Sequence, residues 1–314
     1  MSLTSLRDVE LVRALAEHRP FGRAASVLGI TQPAVSRALA LLESDVGELL
    51  FDRGTMLPTA FGKIVLKHGA QVVNSFSDLS REITLLKGLE VGELVVAMGP
   101  YPAAISGQAA AALLSNEHPR LSIDLRVMNW VDAVEAAKGG HVDLAFADLS
   151  EAEGSADLDV RPVRRGAVTF FCRAGHPLPS RPGLTLSDCL DFPWVGPVVP
   201  GRVGRSLPAA DKPYGCFDPV NQRFEPRIVT ETFQAMTEMA MASDALAAAL
   251  PFMVAAEIST GRLAPLIKAP FLTLNYGFIW RKARTLSPAT RAYMDAVLKI
   301  ESQLPPQPID EIEI

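Results

Sequence analysis

Apolar residues in the first ninety positions recur every three or four, and that spacing predicts helices. Leu6, Val9, Val12, Leu15 and Ala16 share one face of a first helix. It is opened by Ser5 with Asp8 three residues on, close to a capping box, and broken by Pro20 and Gly22. Ala24 to Glu43 reads as a short helix, a tight turn and a second helix. Ala24, Ala25, Val27 and Leu28 are the apolar side of the short helix, and Gly29 supplies the turn, because glycine enters left-handed space without steric cost. Thr31 is the expected N-cap of the second helix, with Pro33 in its first turn, where a missing N–H costs nothing. Val35, Leu39 and Leu42 form a buried stripe, and Gln32, Ser36 and Arg37 fall on the other side.

From residue 60 to 89 one long helical pattern follows. Val65, Gly69, Val72, Phe76, Leu79, Ile83 and Leu86 alternate spacings of four and three, an a/d seam over three heptads. A helix of roughly 30 residues is about 45 Å long and cannot bury its own seam. The seam therefore predicts a partner helix, with packing against the same chain as the alternative, and Val65, Val72, Phe76, Leu79, Ile83 and Leu86 are the candidate dimerisation residues.

After Gly92 the texture changes. Short β runs at Gly92 to Met98, Leu121 to Val127, Val142 to Ala147 and Val168 to Arg173 alternate with helical spacing over Ala103 to Leu114 and Val131 to Lys138. Such alternation predicts a parallel sheet with crossover helices, an α/β fold. Further on come a strand end at Trp194, a strand at Arg227 to Thr230, a helix at Phe233 to Met241, a strand at Leu272 to Trp280 and a last helix at Pro288 to Glu301. Residues 198–225, rich in Pro, Gly and charge, read as a surface excursion. Crossings between two lobes are expected near 161–164 and 266–270. Open α/β sheets bind ligands outside the carboxyl ends of their strands. Those ends are Gly99, Pro100 and Tyr101; Trp130; Asp148; Gly196 and Pro197; and Thr232 and Phe233. Each has a plainer reading too. Trp130 and Phe233 suit a core, Tyr101 suits lobe packing, and Thr232 suits a helix N-cap, where an anion is also favoured.

Polar residues at the start of the second hairpin helix suggest a reader of DNA bases. Gln pairs bidentately with adenine and Arg with guanine. A net charge of −5 argues against non-specific coating of nucleic acid, and the first 67 residues are nearly neutral, so affinity must come from placed contacts and from two copies. The 314 residues allow two or three domains, and 48% hydrophobic with 21% charged residues is the composition of a globular protein. No apolar run reaches the roughly 18 residues of a membrane span, and the amphipathic N-terminus does not read as a signal peptide. Cys172, Cys189 and Cys216 lack metal spacing and read as reduced thiols of a cytoplasmic protein. No nucleophile elbow, Walker loop or dinucleotide fingerprint is present, and the five histidines are scattered. No catalytic residue, metal site or cofactor is therefore expected.

The order AA, TQPAVSRAL, LE, LFDR at Leu50 to Arg53, and T-x-x-G within Pro58 to Gly62 resembles the DNA-binding domain of LysR-type transcriptional regulators. KGGHVDLAFAD and the return phrase at Gly261 to Leu266 are similar to phrases of that family's effector domain. The resemblance implies a winged helix-turn-helix over 1–59 and a linker and dimerisation helix over 60–89. It implies a two-lobed, periplasmic-binding-protein-like α/β effector domain over 90–304, with lobe I at 90–162 and 269–304 and lobe II at 163–268. The remainder, 305–314, reads as a disordered tail. Thr31, Gln32, Pro33, Ser36, Arg37 and Arg53 are the implied DNA contacts, Arg53 being the only basic residue of a short wing. Gly22 stands where the family usually has a Ser or Thr cap, and Met98-Gly-Pro-Tyr where it usually has a hydroxyl after the first strand. The implied protein is a cytoplasmic homodimer, further paired into a homotetramer, that binds double-stranded DNA under control of a small-molecule effector. An architectural DNA-binding protein with a solute-binding domain, or an enzyme fused to a DNA-binding domain, are the alternatives.

Overall fold

A computed structural model describes residues 5–18, 21–87, 92–201, 207, 213–220, 222–282 and 284–305. The chain divides into two compact units, Met1–Thr84 and Leu85–Ile314.

The first unit begins with α1 (Leu6–Glu17), whose N-cap Ser5 accepts the Asp8 N–H at 3.3 Å and donates to the Asp8 carboxylate at 2.8 Å. In α2 (Phe21–Val27), Gly22 lies inside the first turn, so it is not the cap expected of it. Gly29 takes a left-handed φ of 64° and turns the chain. The next helix, α3 (Gln32–Val46), has Thr31 at its N-cap with extended backbone, yet the Thr31 hydroxyl makes no capping bond. A cap oxygen bonds the N–H of the second or third helical residue, and Pro33 at the second position has none to offer. Val35, Leu39 and Leu42 are buried as expected, against Leu11, Val12, Leu15, Ala24 and Ala25.

The long helix α4 (Ala60–Lys87) is attached to this core at its first turns. Thr59 accepts the Gly62 N–H at 3.1 Å, and a Cβ on Gly62 would stand 2.1 Å from the Leu50 carbonyl oxygen. The T-x-x-G phrase thus caps the helix and lets the preceding backbone pass against it. Val65, expected in the seam, is buried within the unit's own core, and a Cβ on Gly69 would meet Val9 at 2.4 Å. The exposed stripe starts only at Val72 and continues through Phe76, Leu79 and Ile83, each about half exposed. The side chain of Leu86 lies outside the described residues.

Between α3 and α4 the chain makes one antiparallel bridge, Phe51 to Pro58. The turn is organised by Asp52, whose carboxylate accepts the backbone N–H groups of Gly54 and Thr55 and the Thr55 hydroxyl. These bonds, the Thr55 amide first, hold the Asp52 carboxyl below the usual range. Glu43 ties this turn to α3. Its carboxylate is 5% exposed; Oε1 accepts from Leu50 N at 2.8 Å and Phe51 N at 3.3 Å, and Oε2 receives Arg53 at 2.5 Å.

The second unit is built on a six-stranded mixed sheet. β1 (Gly92–Met98) pairs in parallel with β2 (Leu121–Val127) and β3 (Leu144–Asp148). One face of this part is covered by α5 (Gln108–Glu117) and α8 (Pro288–Glu301), where Leu94, Phe146, Phe278 and Tyr293 form the core. The other face is covered by α6 (Trp130–Lys138). α5 follows an irregular start, a turn at Pro100–Pro102 and a π-helical stretch at Ala103–Gly107.

The crossings expected near 161–164 and 266–270 are not separate connections. They lie inside two continuous strands, β4 (Leu158–Arg173) and β10 (Leu263–Arg281), which pair antiparallel along their length. Pro162 is tolerated in β4 because its partner Gly277 sits at a register shift, where the ladder is already interrupted. Lobe II adds β9 (Ala247–Ala249) on β4, the pair β5 (Val195–Gly196) with β8 (Ile228–Val229), and α7 (Phe233–Ala242). The strand order of the main sheet is β2-β1-β3-β10-β4-β9.

The described part of 198–225 is more than a surface excursion. β6 (Gly215–Asp218) and β7 (Arg223–Pro226) form a hairpin, and Tyr214 and Phe224 are each 1% exposed. Their rings lie 5.1 and 5.7 Å from Trp194. Burial of three aromatic rings outweighs the Pro, Gly and charge that surround them in sequence.

Replacing Glu43 by Ala would strand two buried backbone donors and the Arg53 guanidinium. Glu43→Ala should cost about 2–4 kcal/mol, read as a lower urea midpoint for the transition of the first unit. An unchanged midpoint would show that the wing is held by its apolar residues alone.

Candidate functional site

Two sites emerge, one in each unit. On the first unit, Thr31, Gln32, Pro33, Ser36 and Arg37 are all exposed, while Val35 and Leu39 on the same helix are buried. Gln32 and Ser36, like Pro33 and Arg37, are four residues apart, so the set occupies one face of the first two turns of α3. A Cβ on Gly22 would be 4.0 Å from the Gln32 side-chain oxygen, which places that amide beside the start of α2. Arg53 is 56% exposed, but one of its nitrogens is held by Glu43. It therefore has a structural task that the sequence did not disclose. Glu43 escaped the sequence reading; its only signal was its place in the LE phrase ahead of LFDR.

On the second unit, a cleft with about 870 Å³ of empty space, part of it open to solvent, lies where the carboxyl ends of the strands meet lobe II. Seven of the nine expected residues line it: Gly99, Pro100, Tyr101, Trp130, Asp148, Gly196 and Pro197. Thr232 and Phe233 do not. The Thr232 hydroxyl accepts the Ala235 N–H at 3.2 Å as the N-cap of α7, and Phe233 packs toward Tyr101 at 6.1 Å between ring centres. Gly196 and Pro197 line the cleft from the end of the two-residue β5, as Gly99 and Asp148 do from the longer β1 and β3. β8 is two residues, and its carboxyl end falls outside the lining.

Sequence reasoning missed the lobe II walls, among them Phe170, Trp194, Leu207 and Phe224. Phe170 comes from the interior of β4, Phe224 from the hairpin, and Trp194 and Leu207 from outside the named strands, so only the tertiary structure brings them to the cleft.

Several contacts clamp the two lobes together at the cleft. The Tyr101 hydroxyl donates to the Ala248 carbonyl at 2.8 Å, and the Trp130 indole N–H donates to the Val198 carbonyl at 2.9 Å. Arg223 pairs with Glu151 at 3.0 Å and lies 5.6 Å from the centre of the Trp130 ring. Burial raises the Tyr101 phenol well above its usual range, so it stays a donor. Asp148 accepts both the backbone N–H and the hydroxyl of Ser150. Tyr276, also in the lining, donates to Glu301 at 2.9 Å; Glu301 receives Arg164 at 2.6 Å and Ser106 at 2.6 Å.

Burial pushes the Cys172 thiol up to about 12 and the Cys189 thiol to about 11, which keeps both protonated and unreactive. Among the described residues no group of three or more His, Cys, Asp or Glu could hold a metal, and no helix is long and apolar enough to cross a membrane.

Comparison with known proteins identifies the family of the two units. Residues 6–63 match the model of the bacterial regulatory helix-turn-helix proteins of the lysR family, and residues 87–300 match the LysR substrate-binding domain. The SDS degradation transcriptional activation protein of Pseudomonas sp. (strain ATCC 19151) is 33% identical, covering 97% of this chain and 99% of that protein. The regulator GbpR of Azospirillum brasilense is 28% identical, covering 93% and 85%. Among solved structures, full-length CbnR complexed with its target DNA has a TM-score of 0.56 at 21% identity, covering 95% of this chain and all of that one. A full-length OxyR variant from Pseudomonas aeruginosa has a TM-score of 0.60 at 16% identity, covering 95% of each chain. These two show the fold.

The clamp between lobes gives a testable expectation. Trp130→Phe keeps a ring and removes the donor to Val198. One lost hydrogen bond of about 0.5–1.5 kcal/mol should speed amide exchange at Val199 and Phe224 roughly two- to tenfold. Exchange at the parent rate would assign lobe closure to other contacts.

Proposed function

This chain belongs to the LysR family of regulatory helix-turn-helix proteins and is a transcriptional regulator, and we propose how its residues carry that function. Regulators of this family join a DNA-binding helix-turn-helix to an effector domain and are not enzymes. The observation that carries the reading of the first site is the exposed face of α3, backed by a fully buried stripe. We infer that Gln32, Ser36 and Arg37 meet base edges in the major groove, and that Thr31, Pro33 and the open side of Arg53 lie nearer the phosphates. The Thr31 hydroxyl makes no capping bond, which supports its part in this.

The second site is proposed as the effector cleft, contacted by Gly99, Pro100, Tyr101, Trp130, Asp148, Gly196 and Pro197. A ligand there touches residues of both lobes and competes with or reinforces the clamps at Tyr101, Trp130 and Arg223. It can shift the lobe arrangement only by its difference in affinity for the two arrangements, typically about 1–3 kcal/mol. β4 and β10 are the strands about which that rearrangement would occur, and the register shifts in β10 near Lys268 and Thr273 are suited to absorb it.

We propose a homodimer through the stripe Val72, Phe76, Leu79 and Ile83, with Leu86 as its continuation, pairing further into a homotetramer, and action in the cytoplasm. The stripe supports the dimer because four half-exposed apolar residues at heptad spacing are costly to leave in water. A twofold pair also presents two reading helices to a palindromic site. The Pseudomonas relative is named for transcriptional activation, and activation is the sign of regulation proposed for this chain.

Footprinting the full-length protein on the DNA upstream of its own gene and the neighbouring genes tests the whole reading: one short palindrome-like protected site is expected, and general protection would indicate an architectural role. Arg37→Ala should weaken binding to that site by about 1–3 kcal/mol and relax one base preference; unchanged binding would mean a different docking. Leu79→Asp places a carboxylate in the dimer stripe. Sedimentation should show a monomer, with specific binding lost alongside; an intact dimer would move the interface elsewhere.

A further inference from the structure

The lining of the cleft limits the chemistry of what can fill it. Its walls include Val168, Phe170, Trp194, Leu207, Phe224 and Leu272. The ring donors that reach it are already engaged with the protein: Tyr101 with the Ala248 carbonyl, Trp130 with the Val198 carbonyl, Trp194 with the Cys189 carbonyl and Tyr276 with Glu301. These rings present faces rather than polar tips. Among the described residues of the lining no side chain is basic, and the one carboxylate is Asp148. Among these described lining residues an anionic ligand would lose its hydration, meet a like charge and find no cation to offset either cost. A cationic ligand would face the same apolar walls, against a carboxylate whose oxygen already accepts two bonds from Ser150.

We propose that the cleft takes an uncharged molecule with an apolar body, of the class of a medium-chain alcohol. This rests on the reading of the cleft as the effector site. The empty space of about 870 Å³ counts the open mouth and is therefore an upper bound on what the cleft encloses. The apolar walls supply affinity through the area they cover, and the ligand's single polar group meets the polar end of the cleft at Asp148, Thr273 and Asn275.

The test uses the full-length protein and three probes of one chain length, 1-octanol, octanoate and octylammonium, all below micelle-forming concentrations. Binding is read from the fluorescence of Trp130 and Trp194, which both line the cleft. Octanol should bind at least tenfold more tightly than either ion. In Asp148→Asn the gap between octanol and octanoate should narrow. Leu272→Gln, which puts an amide in the wall, should weaken octanol severalfold. Octanoate or octylammonium binding as tightly as octanol overturns the proposal, as does failure of all three to bind, or octanol affinity unchanged in Leu272→Gln. A DNA titration with octanol separates the two readings: binding in the cleft with no effect on DNA affinity would remove the effector role and leave the ligand class standing.

Discussion

The effector unit depends on one antiparallel pair, β4 with β10. Both strands run unbroken from one lobe into the other, so the lobes share a backbone ladder as well as side-chain contacts. A ladder resists shear along its hydrogen bonds yet bends where its register slips. The two lobes are consequently held in line by one ladder, interrupted at the register shifts in β10. The cleft exists because the parallel strands of lobe I end beside this pair, and the walls of lobe II are built on its other half. Tyr276 belongs to β10 and to the cleft lining at once, and through Glu301 and Arg164 it joins the cleft to α8 and to β4.

A single carboxylate plays the corresponding part in the first unit. Glu43 is buried at the back of the reading helix and satisfies two backbone N–H groups of the following turn as well as Arg53. A buried charge is tolerable only when it is fully bonded, and here the bonding partners are the wing itself. Helix and wing are thereby set in one geometry. The LE and LFDR phrases are two ends of one hydrogen-bonded unit, and T-x-x-G is the cap and close approach that start the next helix.

The cleft shows the opposite arrangement. Tyr101 and Trp130 bond through their polar tips to carbonyls across the gap and hold the lobes together, while both residues line the cleft. The same residues therefore serve as clamp and as wall. In the proposed reading that double use couples occupancy to lobe position, because a molecule seated against Trp130 would meet a residue whose indole N–H bonds the other lobe.

The sequence alone determined the local elements, because their causes are local. The period of Val35, Leu39 and Leu42, the glycine turn at Gly29, the Pro at the second position of α3 and the β run at Gly92 to Met98 each follow from backbone sterics and hydrophobic spacing within a few residues. The exposed face of α3 and seven of the nine residues expected at the cleft were legible for the same reason, since helix faces and strand ends are local properties. What only the tertiary structure decided are the facts that need two distant segments at once. Val65 and Gly69 have the seam's spacing, but α1 lies against them, so they serve the core of their own unit. Thr232 follows β8, but its hydroxyl caps α7 and the end of that strand misses the cleft. Tyr214 and Phe224 sit in polar sequence and are buried because Trp194 meets them from elsewhere in the chain. Glu43 and Glu301 are charged residues on helices, and they are buried because their donors arrive from other elements. Burial and hydrogen-bond partners are properties of pairs, and one-dimensional spacing records only one member of each pair.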